Sequence, residues 1–242
     1  MSKLKITLAQ IKDQKNLKII NDIVRKNNQS QIIVFPEGTI TTEDLSEIKL
    51  LKALAVKYKI LIIIGVEYHS NKKTYDFAYY ISRKKVERYQ KVHVHWTENH
   101  EPGGEFKVIK SKYGKIGFLM CYDAAFIESS VVLKQLGADI IVIISSIPHD
   151  FKNEYFNLRL RAIAYYTQSF VVHCCKPGHR FSGHSSIVNP KGRIIKELGK
   201  YKTISTKEID LSLIKEWWRT EKIEDFRKEE IYKKYICNLR FK

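Results

Sequence analysis

At 242 residues, 44% hydrophobic and 29% charged, the chain has the size and composition of one soluble domain with a full apolar core, which excludes a disordered or low-complexity protein. Its net charge of +17 comes from 43 Lys and Arg against 26 Asp and Glu, but these are mixed along the whole chain without a nucleic-acid motif, so nucleic acid is not the expected partner. The opening Met1-Ser2-Lys3-Leu4-Lys5 has no secretory apolar region and runs such as Leu61–Val66 are too short to span a bilayer, so a cytoplasmic protein is expected.

Strand-like apolar runs alternate with amphipathic stretches along the chain. Leu4–Leu8 predicts a first strand, and Asn16–Asn27 a helix with Leu17, Ile20 and Val24 on one face. Ile32–Phe35 reads as a strand, Asp44–Tyr58 as a helix introduced by Thr41-Thr42, and Ile60–Val66 as another strand. Phe77–Ser82 and Lys85–Tyr89 form a hairpin through the polar Arg83-Lys84 turn. After a loop over Val94–Phe106 come strands Lys107–Ser111 and Ile116–Met120, then a helix Glu128–Leu136 closed by Gly137. Strand Asp139–Ser145 precedes a long helix over Tyr155–Gln168, with Phe151 at its outer limit. Strands Phe170–Cys175, Ser185–Val188, Ile194–Glu197 and Thr203–Ile209 complete the core, with a turn at Asn189-Pro190-Lys191-Gly192. A charged helical tail follows from about Leu211, carrying Trp217, Trp218 and Tyr232.

The runs Ile60–Ile64 and Ile140–Ile144 do not alternate in polarity, and strands apolar on both faces are covered on both faces. This predicts a layered α/β protein with helices outside a pair of sheets, residues 1–242 forming one domain.

Three residues suggest chemistry. Glu37 ends one apolar run, Cys121 ends another, and Lys91 lies between them. A thiolate is a nucleophile, a carboxylate can take its proton, and an ammonium can stabilise an oxyanion, so the set suggests covalent acyl transfer. Taken singly, each has an ordinary explanation as a surface acid, a solvated lysine or a packed thiol. The other cysteines are Cys174, Cys175 and Cys237; none forms a Cys-x-x-Cys pair, and the adjacent Cys174-Cys175 reads as packing within a strand.

The segments Phe35-Pro36-Glu37, Tyr89-Gln90-Lys91-Val92-His93, Pro102-Gly103, Gly117–Asp123, Phe181–Ser185, Asn189–Gly192 and Ile209–Leu211, in that order, resemble the nitrilase, or carbon–nitrogen hydrolase, superfamily. The resemblance runs from about Lys5 to Tyr232. It implies a four-layer α-β-β-α sandwich and a Glu-Lys-Cys triad of Glu37, Lys91 and Cys121. Glu37 is then general base and later acid, and Cys121 attacks the substrate carbon. Lys91 and the backbone N–H of Tyr122 hold the oxyanion, and water resolves the thioester.

Family members often carry a second glutamate between the lysine and the cysteine. Glu98 and Glu101 are the candidates, and the spacing to Pro102-Gly103 favours Glu98. The same loop holds His93, His95 and His100; His93 and His95 are expected to share a strand face, but the set lacks a full ligand spacing, so no metal is expected. No cofactor is expected either. Tyr122-Asp123 stands where true nitrilases typically have Trp-Glu, which favours an amide over a nitrile. Ala124-Ala125 stands where many amidases and carbamoylases place an arginine, which weakens carbamoyl amino acids and α-keto acid ω-amides; Arg180 or a lysine is the available substitute. Ser146 and Ile147 are candidate substrate-binding residues, with His149 and Tyr155 further candidates, while Glu128 is expected to support a helix start.

The resulting expectation is a cysteine amidohydrolase acting on a small linear amide, assembled as a homodimer. Trp217 and Trp218 are expected either at that interface or over the core of their own subunit. The alternatives are an acyltransferase using the same triad, and a basic nucleic-acid-binding protein on this fold.

Overall fold

The structure, a computed structural model, describes residues 3–12 and 17–236. In chain order the first half forms β1 (Lys3–Gln10), α1 (Leu17–Lys26), β2 (Ile32–Val34), β3 (Ile40–Thr42), α2 (Ser46–Tyr58), β4 (Leu61–Ser70), β5 (Lys73–Ile81) and β6 (Val86–Gln90). The second half forms β7 (Val108–Ser111), β8 (Gly114–Met120), α3 (Ile127–Gln135), β9 (Ile140–Ser145), α4 (Asn153–Thr167) and β10 (Phe170–Cys175). It continues with β11 (Ser186–Val188), β12 (Ile194–Glu197), β13 (Thr203–Asp210), α5 (Ser212–Glu221) and α6 (Glu229–Ile236).

The strands make two sheets, one ordered β13-β1-β2-β4-β5-β6 with β3 paired to β4, the other β12-β11-β10-β9-β8-β7. Side chains alternate across a strand, so each non-alternating apolar run serves two cores at once. In β4, Leu61 and Ile63 enter the inter-sheet core while Ile62 and Ile64 meet the α1–α2 layer. In β9, Ile140, Val142 and Ile144 point between the sheets, and Ile141 and Ile143 meet α3 and α4. Tyr80 and Phe118 meet edge-on across the sheets at 6.4 Å, a contact of about 1 kcal/mol beyond its buried area. The expected α-β-β-α sandwich is the observed architecture.

Several local expectations change. Thr41-Thr42 belongs to β3, and α2 begins only at Ser46, because the Asp44 carboxylate accepts the Ser46 N–H and Thr42 Oγ1 accepts the Asp44 N–H. β4 and β5 extend well past the apolar runs into a second hairpin turning at Asn71-Lys72, both left-handed at φ 50° and 62°. Phe151 precedes α4, which starts at Asn153. Cys121–Ala125 forms a 3-10 turn where no element was expected. Cys174 faces the inter-sheet core and Cys175 the helix side, so the two thiols pack as expected and point apart. Cys237 and Asn16 lie outside the described residues.

Candidate active site

Parallel strands β2 and β4 of one sheet and β8 and β9 of the other bring their C-terminal ends to the same end of the sandwich, the usual place for a site in α/β proteins. Glu37 lies just past β2, Cys121 just past β8 and Ser146 just past β9. Their proximity is direct, since Ser146 Oγ donates to the Glu37 carbonyl at 3.3 Å. Glu37 is seated against the neighbouring strand with no room to spare. A Cβ at Gly65 of β4 would lie 2.4 Å from Glu37 Cα and 2.5 Å from the Pro36 carbonyl oxygen.

Lys91 leaves β6 with its backbone fixed on both sides. Its N–H donates to the Asp76 carbonyl at 3.0 Å and its own carbonyl accepts the Gly103 N–H at 2.7 Å. A Cβ at Gly103 would sit 2.5 Å from the Gln90 carbonyl oxygen, which is why glycine follows Pro102 here. The Lys91 side chain is fully buried, and its Nζ donates to Glu37 Oε1 at 2.9 Å and to Glu98 Oε2 at 2.8 Å. Asp76 Oδ2 lies 3.5 Å away on a further side. Burial by itself disfavours the ammonium, but Glu37, Cys121, Asp76 and Glu98 together hold Lys91 protonated.

Three carboxylates around one ammonium leave an excess of negative charge in a buried space. Glu37 carries the consequence: burial, then the charges of Asp76 and Glu98, raise its pKa above the usual carboxylate value against the pull of Lys91. Its Oε2 is buried and has no hydrogen-bond partner among the described residues. One oxygen of Glu37 is therefore held by Lys91 and the other is free to take a proton.

Asp76 behaves differently. Burial opposes its ionisation, but the hydrogen bond with His100 and the charge of Lys91 prevail, and the carboxyl is held below its ordinary value. His100 Nδ1 lies 2.7 Å from Asp76 Oδ2, and that hydrogen bond raises the imidazole pKa.

Cys121 opens the 3-10 turn with a left-handed backbone, φ +43°, a conformation uncommon outside glycine and concentrated at functional sites. Burial, then Glu37, push its thiol pKa well up, while Lys91 and a backbone hydrogen bond at Ser146 oppose the rise. The free thiol is thus a resting, protonated form in the field of both a base and a cation. Tyr122 occupies the second position of the turn, where a helical N–H has no partner in its own turn. Its ring stands edge-on to His95 at 4.8 Å and to Phe126 at 5.3 Å.

Asp123 locks this turn to the opposite sheet. Its Oδ2 accepts from Tyr89 Oη at 2.7 Å and from the Met120 N–H at 2.9 Å, and its Oδ1 accepts from the His93 N–H at 2.7 Å. His93 Nδ1 is a further 3.0 Å contact.

The remaining candidates separate clearly. Glu101 points outward to Lys73 at 3.2 Å, leaving Glu98 as the glutamate at Lys91; the His95 N–H also fixes Glu98 Oε2 at 2.9 Å. His93 and His95 lie in an irregular loop and not on a strand face, and the three loop histidines turn to Asp123, Thr97 and Asp76 respectively. Ligand atoms of Asp76, Glu98 and His100 lie within 4.8 Å of one another, but the Lys91 ammonium already bonds Glu98 and flanks Asp76, so the donor set is that of a cation clamp. Ile147 is 5% exposed and packs in the helix-side core with Ala124 and Phe156. His149 and Arg180 are exposed and share a backbone bond, Tyr155 is exposed on α4, and Glu128 lies in the first turn of α3. Trp217 contacts Tyr165 of its own α4 at 6.2 Å.

Sequence reading missed Asp76, Gly65 and the role of Asp123. A signal for Asp76 was present: it shares strand parity with Ala78 and Tyr80, both in the inter-sheet core. Lys176, also passed over, is buried, and a Cβ at Gly38 would lie 3.0 Å from its Nζ.

Comparison with known proteins bears on the family and the fold. The family model for carbon-nitrogen hydrolase matches residues 8–219. The omega-amidase of Saccharomyces cerevisiae is 27% identical over 213 residues, covering 78% of this chain and 72% of the relative. A nitrilase and fragile histidine triad fusion protein of Drosophila melanogaster is 32% identical over 140 residues, covering 55% of this chain and only 30% of the fusion protein. Among solved structures, a carbon-nitrogen hydrolase from Helicobacter pylori superposes with a TM-score of 0.86 at 17% identity over 99% of both chains. With the match spanning strands from both sheets, this chain belongs to the carbon–nitrogen hydrolase family.

Proposed function

We propose that this chain is a cysteine-dependent amidohydrolase that cleaves the C–N bond of a small linear amide through a thioester. The observation that carries the reading is the buried Glu37 carboxylate, with one oxygen on Lys91 and the other unpartnered. In the proposed cycle the thiol proton passes to Glu37, and the Cys121 sulfur bonds to the amide carbon. Lys91 and the Tyr122 N–H stabilise the oxyanion. Glu37 returns the proton to the leaving nitrogen, the C–N bond breaks, and ammonia or an amine departs. Water then gives a proton to Glu37 while its oxygen attacks the thioester, with Glu98 positioning that water. The acid product leaves and the Cys121 thiol re-forms.

A raised Glu37 pKa supports this reading, because an acid–base group that works in both directions is best poised nearer neutrality than an ordinary carboxylate. Ala124 and Ala125 offer no cation after Asp123, which supports a neutral or cationic amide. A homodimer belongs to the same proposal, and Tyr155, Leu158 and Tyr166 of α4 supply exposed apolar surface for it.

The test is ammonia release from a panel of small amides, carbamoyl compounds and nitriles, with wild type and Cys121→Ala compared. Release from amides that is lost in the variant is the expected result. Release from nitriles alone, or release that survives Cys121→Ala, contradicts the proposal.

A further inference from the structure

A concavity of about 570 Å³ opens at the end of the sandwich opposite Cys121. Its walls come from both sheets: Lys59–Leu61 before and at the start of β4, Tyr80 and the β5–β6 turn, and the β7–β8 turn. The rise along β8 puts it roughly 20 Å from Cys121, far outside contact with the triad. Its volume lies within the range of small-molecule sites.

The lining divides into two chemistries. Ile60, Leu61 and Tyr80 are buried, and Tyr113 packs against the inter-sheet core from the rim, so the floor is apolar and partly aromatic. The rim carries Lys59, Arg83, Lys84, Lys85, Lys110 and Lys112. Lys85 pairs with Glu87 at 2.6 Å, and the other five have no carboxylate partner among the described residues. These cations come from three separate segments of the chain and converge on one cavity. The cations also sit over the rings, Lys112 Nζ at 4.8 Å from the Tyr113 centroid and Lys85 Nζ at 5.7 Å from that of Tyr80.

Clustered like charges at a cavity mouth focus field into it and attract an anion. An apolar floor beneath them asks for a flat or hydrophobic body on that anion. Two hairpin tips, Arg83-Lys84 and Lys112, bring the charges in from opposite sheets, so a small ligand can touch both sheets at once. We propose that this cleft binds a small phosphorylated ligand with an aromatic body, in the chemical class of a nucleoside polyphosphate. A cavity of this volume, lined by both sheets, favours a small molecule over a polymer.

Titration calorimetry of the whole chain with ATP, tripolyphosphate and adenosine tests this. Lys110→Glu/Lys112→Glu is compared with the exposed control Lys200→Glu/Lys202→Glu, which makes the same change in net charge. The expected result is that ATP binds more tightly than either fragment, and that the cleft variant loses about tenfold or more in affinity while the control keeps it. Thermal melting confirms that both variants fold. Equal losses in cleft and control variants, equal binding of tripolyphosphate and ATP, or no ATP binding at about 1 mM would each overturn the proposal.

Discussion

Asp123 and Tyr89 are joined by a 2.7 Å hydrogen bond that ties the turn carrying Cys121 in one sheet to β6, and so to Lys91, in the other. The same carboxylate receives the His93 and Met120 N–H groups. One buried side chain therefore links the turn that carries the thiol to the strand that leads to the ammonium. Asp123→Ala leaves the buried Tyr89 hydroxyl and these donors without their partner, and a stranded buried group costs about 1–3 kcal/mol. Chemical denaturation is expected to show a loss of about 3 kcal/mol or more, and unchanged stability would remove Asp123 from this role.

Gly65 seats Glu37. Gly65→Ala forces a methyl against Pro36 and Glu37 backbone atoms at 2.4–2.5 Å, and backbone cannot yield as a side-chain tip can. Overpacking of this kind costs about 1–3 kcal/mol. Amide turnover in Gly65→Ala should fall by about tenfold or more in kcat, with the fold kept by circular dichroism. Wild-type kcat would show that Glu37 needs no such seat.

Glu37 affects Cys121 in two opposed ways. Its charge raises the thiol pKa, while its free oxygen is the proposed proton acceptor. Glu37→Gln removes both. Iodoacetamide should then alkylate Cys121 faster at about pH 8, because one charge that raises the thiol pKa is gone while Lys91 still lowers it. Turnover should meanwhile fall by about a hundredfold or more. Slower alkylation in Glu37→Gln would mean that the carboxylate promotes the thiolate in the resting enzyme.

Asp76 offers a pH test. Its negative charge raises the Glu37 pKa, so Asp76→Asn should move the acidic limb of kcat/KM to lower pH; an unmoved limb excludes the coupling. The Asp76–His100 pair also contributes stability within a window. His100 is raised above its ordinary 6.5, so its contribution is complete below that value and is lost as pH rises through the folded pKa. Asp76 is lowered from 3.8, so its contribution is present above that value and is lost as pH falls through the folded pKa. The stability deficit of His100→Gln should therefore be larger at about pH 5.5 than at about pH 8.5.

The layers were legible in the sequence because Ile60–Ile64 and Ile140–Ile144 lack alternation, which only double coverage explains. Glu37 and Cys121 were legible because both follow apolar strand runs in motif order. Lys91 was less so, since an isolated lysine in a chain with 43 Lys and Arg carries no signal without its flanking Tyr89 and His93. The outer halves of β4 and β5 were hidden by polar residues from Glu67 to Thr74, where the strands rely on ladder bonds and half-buried side chains more than on the core. Asp76 was hidden for a related reason. An acid in a strand reads as solvent-facing until an ammonium from another strand is known to lie against it.

In the proposed cycle the Cys121 sulfur takes the acyl group. Acid-quenched mass spectrometry during turnover of a good amide substrate reads this directly. An acyl mass is expected on the Cys121 peptide during turnover, with both the adduct and ammonia release absent in Cys121→Ala. An adduct on Cys174 or Cys175, or full turnover in Cys121→Ala, would contradict it.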